Sequence, residues 1–136
     1  MSINYKRIKM RMILNILIIA VLGWFVFNFF GNQKLKGNRL EVADFNEAIQ
    51  VKNVQLIDVR TPSEFKSSHI KGAKNIDVFS SEFKEKINKL DKSKATYIYC
   101  RSGQRSQKAL KIMLKDGFEN IYDLKGGYMT WKSNQN

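Results

Sequence analysis

The chain has 136 residues, 24 Lys and Arg against 12 Asp and Glu, and 43% hydrophobic residues. That length and ordinary apolar content allow one domain and exclude a multidomain enzyme, a collagen-like fibre and a fully disordered polymer. A single Cys and a single His exclude an intramolecular disulfide and a zinc centre, so any thiol chemistry must use one sulfur.

The net charge of +12 is unevenly spread. Residues 1–39 hold Lys6, Arg7, Lys9, Arg11, Lys34, Lys36 and Arg39 and no acidic side chain. These cations flank residues 12–30, MILNILIIAVLGWFVFNFF, which carry no charge. As a helix this run is about 28 Å long, close to the hydrocarbon thickness of a bilayer. It predicts a basic flank over 1–11, one transmembrane helix over 12–30 with the lipid bilayer as its partner, and a polar linker over 31–39. Asn15 and Asn28 lie near its ends, and Trp24, Phe25, Phe27, Phe29 and Phe30 crowd its second half like an interfacial belt. The run has no polar face, which argues against a core helix, and no small-residue cleavage site follows Phe30, which argues against a removed signal peptide. The flanking charges favour an exterior domain by one side chain. The need of a lone thiol to stay reduced outweighs that margin and places the domain in the cytoplasm, on a single-pass membrane protein.

Residues 40–136 alternate short β-rich runs with helical ones, the pattern of a parallel sheet covered by helices. Asp44 and Glu47 have capping-box spacing and open a helix carrying Phe45, Ala48 and Ile49. Residues 54–59, VQLIDV, read as a buried strand. Thr61, Pro62 and Glu64 supply an N-cap, a proline at the first helical position and the reciprocal acid. Phe83, Ile87 and Leu90 give helical spacing to residues 81–90. Residues 96–100, TYIYC, form a strand ending on the thiol. Residues 106–115 follow as a helix with Ala109, Leu110, Met113 and Leu114 inward, stopped at Gly117. A strand over 121–124 then leads through Gly126 and Gly127 into a last short helix with Met129 and Trp131.

The chemistry concentrates in residues 99–106, YCRSGQRS. A strand end feeding a helix N-terminus aims backbone N–H groups at one point, and the helix dipole adds positive potential there. Arg101 and Arg105 deepen that potential. A thiolate is an anion, so this position favours the ionised, nucleophilic form of Cys100. A lone Cys is more often a small buried hydrophobe, but few such residues precede a glycine-containing, twice-basic loop.

The loop from Cys100 to Ser106 resembles the active-site loop of the rhodanese family. The resemblance extends to LIDVRTPSEF at 56–65, HIKGAKNI at 69–76 and LKGGYMTW at 124–131. It implies an α/β rhodanese-like domain, a parallel five-stranded sheet flanked by helices. It also implies sulfane-sulfur transfer through a persulfide on Cys100, as in thiosulfate sulfurtransferases, with no cofactor or metal. Arg101, Ser102, Gly103, Gln104, Arg105 and Ser106 become the expected substrate cradle, with Asp58 and Arg60 as possible supporting residues. For Asp58 and Arg60 the plainer reading is structural, Arg60 bridging to Glu64 or Asp58 fixing a loop backbone. His69 reads as a helix-end residue satisfying backbone groups. The Tyr97, Tyr99, Tyr122, Tyr128 and Trp131 set reads as core and pocket wall, and Lys84, Lys86, Lys89, Lys92 and Lys94 as a solvated face.

Cysteine-dependent phosphatases, including those on this fold, place their arginine one residue further from the cysteine than Arg105 lies from Cys100. In the family the shorter loop accompanies sulfur rather than phosphate or arsenate. With no second Cys, the sulfur must pass to a small thiol, cyanide or a protein acceptor. A non-enzymatic module that binds an anion or a partner at the membrane is the alternative. No aromatic-basic stripe supports nucleic-acid binding.

Overall fold

The computed structural model describes residues 2–31 and 38–135, with side chains from 7 to 25 and from 39 to 135. The expected linker residues 32–37, with Lys34 and Lys36, lie outside the described residues, as do the side chains of Asn28, Phe27, Phe29 and Phe30. The chain divides into two compact units, Met1–Lys36 and Gly37–Asn136.

The described residues of the first unit form one helix, α1, Ser2–Gly31. Its stretch Arg7–Phe25 is long and apolar enough to cross a membrane, and none of it is buried. A core helix of a soluble protein would hide such a surface.

The second unit is a five-stranded sheet in the order β1-β5-β4-β2-β3, parallel throughout. The strands are β1 (Asn38–Leu40), β2 (Gln55–Asp58), β3 (Lys74–Asn75), β4 (Thr96–Tyr99) and β5 (Ile121–Leu124), and the helices are α2 (Val42–Ile49), α3 (Pro62–Ser67), α4 (Phe83–Ile87), α5 (Gln104–Lys115) and α6 (Gly127–Ser133).

The two-residue period of the strands divides the core into two layers. Ile57, Val59, Ile98 and Cys100 project to one face, where Phe83 and Ile87 of α4 and Ala109, Leu110 and Met113 of α5 cover them. Leu56, Tyr97 and Tyr99 project to the other, under Phe45 of α2 and Tyr128 of α6. Cys100 therefore lies on the α5 side because it stands two residues after Ile98. Full burial of Phe45, Ile57, Ile87, Ile98, Met113 and Leu124 is worth about 1.5–3 kcal/mol for each side chain.

Several elements depart from their sequence expectation. Asn38 and Arg39, read as the end of a linker, belong to β1, where Asn38, Arg39 and Leu40 pair with Tyr122, Asp123 and Leu124. Two polar residues form a strand here because an adjacent edge offers hydrogen-bond partners. Helix α2 starts after Glu41 and makes no side-chain cap bond, so Asp44 lies in its first turn instead of capping it. Helix α4 is shorter than residues 81–90, although Leu90 still packs on its core layer. Strand β3 is short and partly exposed, and its residues carry no hydrophobic signal.

Candidate active site

Strand β4 ends at Tyr99, and Cys100 opens the loop into α5. Gly103 takes the left-handed conformation at φ 97° and caps α5, a turn a side chain would strain. The turn brings the loop back over the sulfur. The Gly103 N–H donates to Cys100 Sγ at 3.0 Å, and the Ser106 hydroxyl donates to it at 3.4 Å. Cys100 is 1% exposed, while Arg101, Ser102 and Gln104 face solvent and Arg105 is half-buried. The cradle therefore has a polar inner wall of Gly103 and Ser106 and a cationic outer wall.

The first turn of α6 grips the back of the loop. Tyr128 N–H donates to the Cys100 carbonyl at 2.7 Å, and Met129 N–H donates to the Arg101 carbonyl at 3.1 Å. This approach needs Gly127: a Cβ there would lie 2.6 Å from the Arg101 carbonyl carbon and oxygen and from the Cys100 carbonyl oxygen. The paired glycines thus do more than turn the chain.

Arg105 is fixed by a residue the sequence placed elsewhere. Its two terminal nitrogens donate to the two oxygens of Glu64 at 2.7 and 2.8 Å. Glu64 also completes the expected capping box with Thr61 at the start of α3. The Arg105 hydrogen bond, with those of Thr61, holds the Glu64 carboxyl down at about 2 against the opposing effect of burial. Glu64 in turn raises Arg105 above its ordinary value, and the Cys100 sulfur adds to that rise. Each terminal nitrogen of Arg105 carries two hydrogens, so both keep a donor for a ligand.

Arg60 pairs with Asp58 in a buried ion pair instead of bridging to Glu64, whose two oxygens Arg105 occupies. Arg60 Nη2 donates to Asp58 Oδ2 at 2.6 Å and to the Ser68 carbonyl at 2.7 Å, and the Arg60 backbone N–H donates to Asp58 Oδ1 at 2.9 Å. The guanidinium also lies 4.4 Å from the Tyr128 ring centroid. Burial first, and then Asp58, push the Tyr99 hydroxyl well above its usual range, so it stays neutral beside the Ile70 N–H at 3.0 Å. His69 Nδ1 lies 2.9 Å from the Phe65 carbonyl and its ring stacks on Phe65. On the expected lysine face, Lys86 and Lys89 pair with Glu82 and Glu85, whereas Lys92 clamps the Asp116 carboxylate and carbonyl.

A cleft of about 290 Å³ opens beside the loop, lined by Arg60, Glu64, Ser67, Ser68, Arg101, Tyr128, Met129 and Lys132. Arg101 and Lys132 face solvent at this cleft, giving it a positive rim. Glu64 and Gly127 had local signals, a cap and a turn, that did not disclose their contacts with the loop. Asp123, fully buried on β5, and Arg39 of β1 were missed altogether. A charged residue inside the IYDL strand was the available clue to Asp123.

The rhodanese-like domain model matches residues 41–134. The chain is similar to the uncharacterized protein YqhL of Bacillus subtilis, 42% identical over 59% of this chain and 62% of that one. It is 35% identical to a tRNA uridine(34) hydroxylase of Pelagibacter ubique over 73% of this chain, a match spanning only 33% of the hydroxylase. It is 30% identical to the thiosulfate sulfurtransferase GlpE of Coxiella burnetii over 64% of this chain and 79% of that protein. A solved rhodanese-related protein of Thermoplasma volcanium superposes with a TM-score of 0.63 at 29% identity, over 71% of this chain and 92% of that one. The sheet, the loop after β4 and these likenesses agree: the chain belongs to the rhodanese-like domain family.

Proposed function

We propose that the chain is a single-pass, membrane-anchored sulfurtransferase that carries sulfane sulfur on Cys100. The observation that carries this reading is the Gly103 N–H at 3.0 Å from Cys100 Sγ, with the Ser106 hydroxyl beside it. Both donors stabilise negative charge on the sulfur, which is the nucleophile in the first step and the leaving group in the second.

In the first step the Cys100 thiolate attacks the outer sulfur of a donor such as thiosulfate. The donor's S–S bond breaks, sulfite leaves with the electron pair, and a persulfide remains on Cys100. In the second step an acceptor thiolate or cyanide attacks the terminal sulfur, and the Cys100 thiolate is restored. The 1% exposure of Cys100 selects a donor ending in a slim single atom. Arg105, oriented by Glu64, offers its free N–H donors to the sulfonate end, and Arg101 adds charge at the mouth. Ser102 and Gln104 supply the exposed part of the cradle. No resident cofactor or metal enters these steps. The acceptor is a small thiol, cyanide or a partner protein, since the chain has no second Cys to form an internal disulfide.

In this reading residues 12–30 span the bilayer, residues 1–11 form the basic flank, and the catalytic domain, from β1 onward, faces the cytoplasm. The continuous helix, apolar and exposed over its stretch Arg7–Phe25, supports the anchor. The cytoplasmic placement rests on the need of Cys100 for reduced acceptors.

A binding module that never turns over is the second reading, and the burial of Cys100 is the observation in its favour. A thiosulfate-to-cyanide assay on the full-length chain separates the two. Turnover lost in Cys100→Ser supports the sulfurtransferase; a folded wild-type chain without turnover supports the binding module.

A further inference from the structure

Arg39 of β1 reaches under the active-site loop. Its Nη2 donates to the Gly103 carbonyl at 3.2 Å, and its Nε lies 3.2 Å from Asp123 Oδ2. The guanidinium closes on the glycine, where a Cβ would come within 2.4 Å of Nη2. The same Asp123 oxygen accepts Gln107 Nε2 from α5 at 2.6 Å. Asp123 Oδ1 has no hydrogen-bond partner among the described residues, although its carboxyl feels the Ser106 hydroxyl that also touches the Cys100 sulfur. A fully buried carboxylate thus stands one side chain away from the reacting sulfur.

We infer that Arg39 is a positioning residue for the sulfur cradle: it fixes the Gly103 carbonyl and neutralises the buried Asp123 carboxylate beneath Cys100. The inference rests on the reading of Cys100 as sulfur carrier. Pinning the carbonyl holds Gly103 in the turn that aims its N–H at Sγ. Pairing Asp123 removes a negative charge that would otherwise oppose a thiolate nearby. Among the described residues, the other charged groups around the sulfur are Arg101 of the loop, Arg105 of α5, and the acids that face Arg105, Glu64 of α3 and Asp77. Burial raises the Asp123 carboxyl above its ordinary value, and the groups facing it, Ser106, Gln107 and then the cation Arg39, oppose that rise. Arg39 is thus the cation that balances Asp123, while Arg105 is already matched by Glu64. A domain cut to begin at residue 40 would lose this clamp.

The test uses the full-length chain in detergent and follows Cys100 alkylation by iodoacetamide from acid to alkaline pH, beside thiosulfate-to-cyanide turnover and thermal unfolding. Arg39→Gln should slow alkylation at neutral pH by roughly tenfold and move its pH profile upward. Arg39→Lys, which keeps the charge but not the two-way reach, should recover part of the loss. Arg39→Gln combined with Asp123→Asn should return the profile toward wild type. An unmoved profile in Arg39→Gln overturns the inference, whether or not stability falls. If Arg39→Gln does not fold, Arg39→Lys decides alone: a wild-type profile and wild-type turnover overturn the inference. Absent turnover in the wild type, together with a profile shifted by the Arg39 variants, removes the sulfurtransferase reading and leaves the positioning role standing.

Discussion

Glu64 holds both terminal nitrogens of Arg105, at 2.7 and 2.8 Å, while the same side chain accepts the Thr61 N–H at 3.1 Å. One carboxylate thereby ties the start of α3 to the start of α5, across 41 residues of sequence. The helix cap and the brace of Arg105 are a single device.

The brace gives stability a defined pH dependence. The folded-state value of Glu64 is lowered from 4.5 to about 2, so its contribution is complete above 4.5 and is lost as pH falls toward 2. Glu64→Gln should cost about 1–2 kcal/mol near neutrality, a figure reduced for its partial exposure. Urea unfolding of both chains between neutral pH and pH 2 checks this: the difference should narrow across that acid window, and a constant difference contradicts the assignment.

Arg105→Ala should reduce thiosulfate efficiency by roughly 10–100-fold with the fold retained. Arg105→Lys should recover little, because an ammonium cannot grip Glu64 and a sulfonate with a planar fork. Steady-state kinetics and circular dichroism on the variants measure both halves. Undiminished efficiency in Arg105→Ala removes the anion-binding role.

Gly127→Ala places a methyl group against the carbonyls of Cys100 and Arg101 at a residue with φ 63°. The helix must retreat from the loop, at a cost of about 2–3 kcal/mol, and turnover should fall further than stability accounts for. Urea titration beside turnover well below the melting temperature tests it. Wild-type values in both would show that the close approach is dispensable.

If α1 spans a bilayer as proposed, carbonate-washed membranes should retain the full-length chain, since its exposed apolar stretch Arg7–Phe25 has no other solvent as favourable as lipid. Protease added to right-side-out vesicles should spare the domain. Its digestion, with a lumenal control intact, places the domain outside and reverses the proposed orientation.

Local patterns made much of this fold legible. The β-branched and aromatic run of β4, the apolar spacing of α5 and the Thr61-Pro62-Glu64 signature each specify an element through neighbours only a few residues away. Strands β1 and β3 were illegible because Asn38, Arg39, Lys74 and Asn75 become strand only by pairing with distant edges. The same limit applies to the site. Cys100, Gly103 and Ser106 are sequence neighbours and announce a cradle. The groups that hold that cradle in place, Glu64 on Arg105 and Arg39 on Gly103, act over 41 and 64 residues, and no local spacing records them.

If Cys100 carries the sulfur as proposed, the intact mass of the full-length chain after incubation with thiosulfate should rise by one sulfur atom in the wild type, fall back on addition of cyanide, and stay unchanged in Cys100→Ala. A folded wild-type chain that gains no sulfur, or a gain that survives in Cys100→Ala, contradicts that proposal.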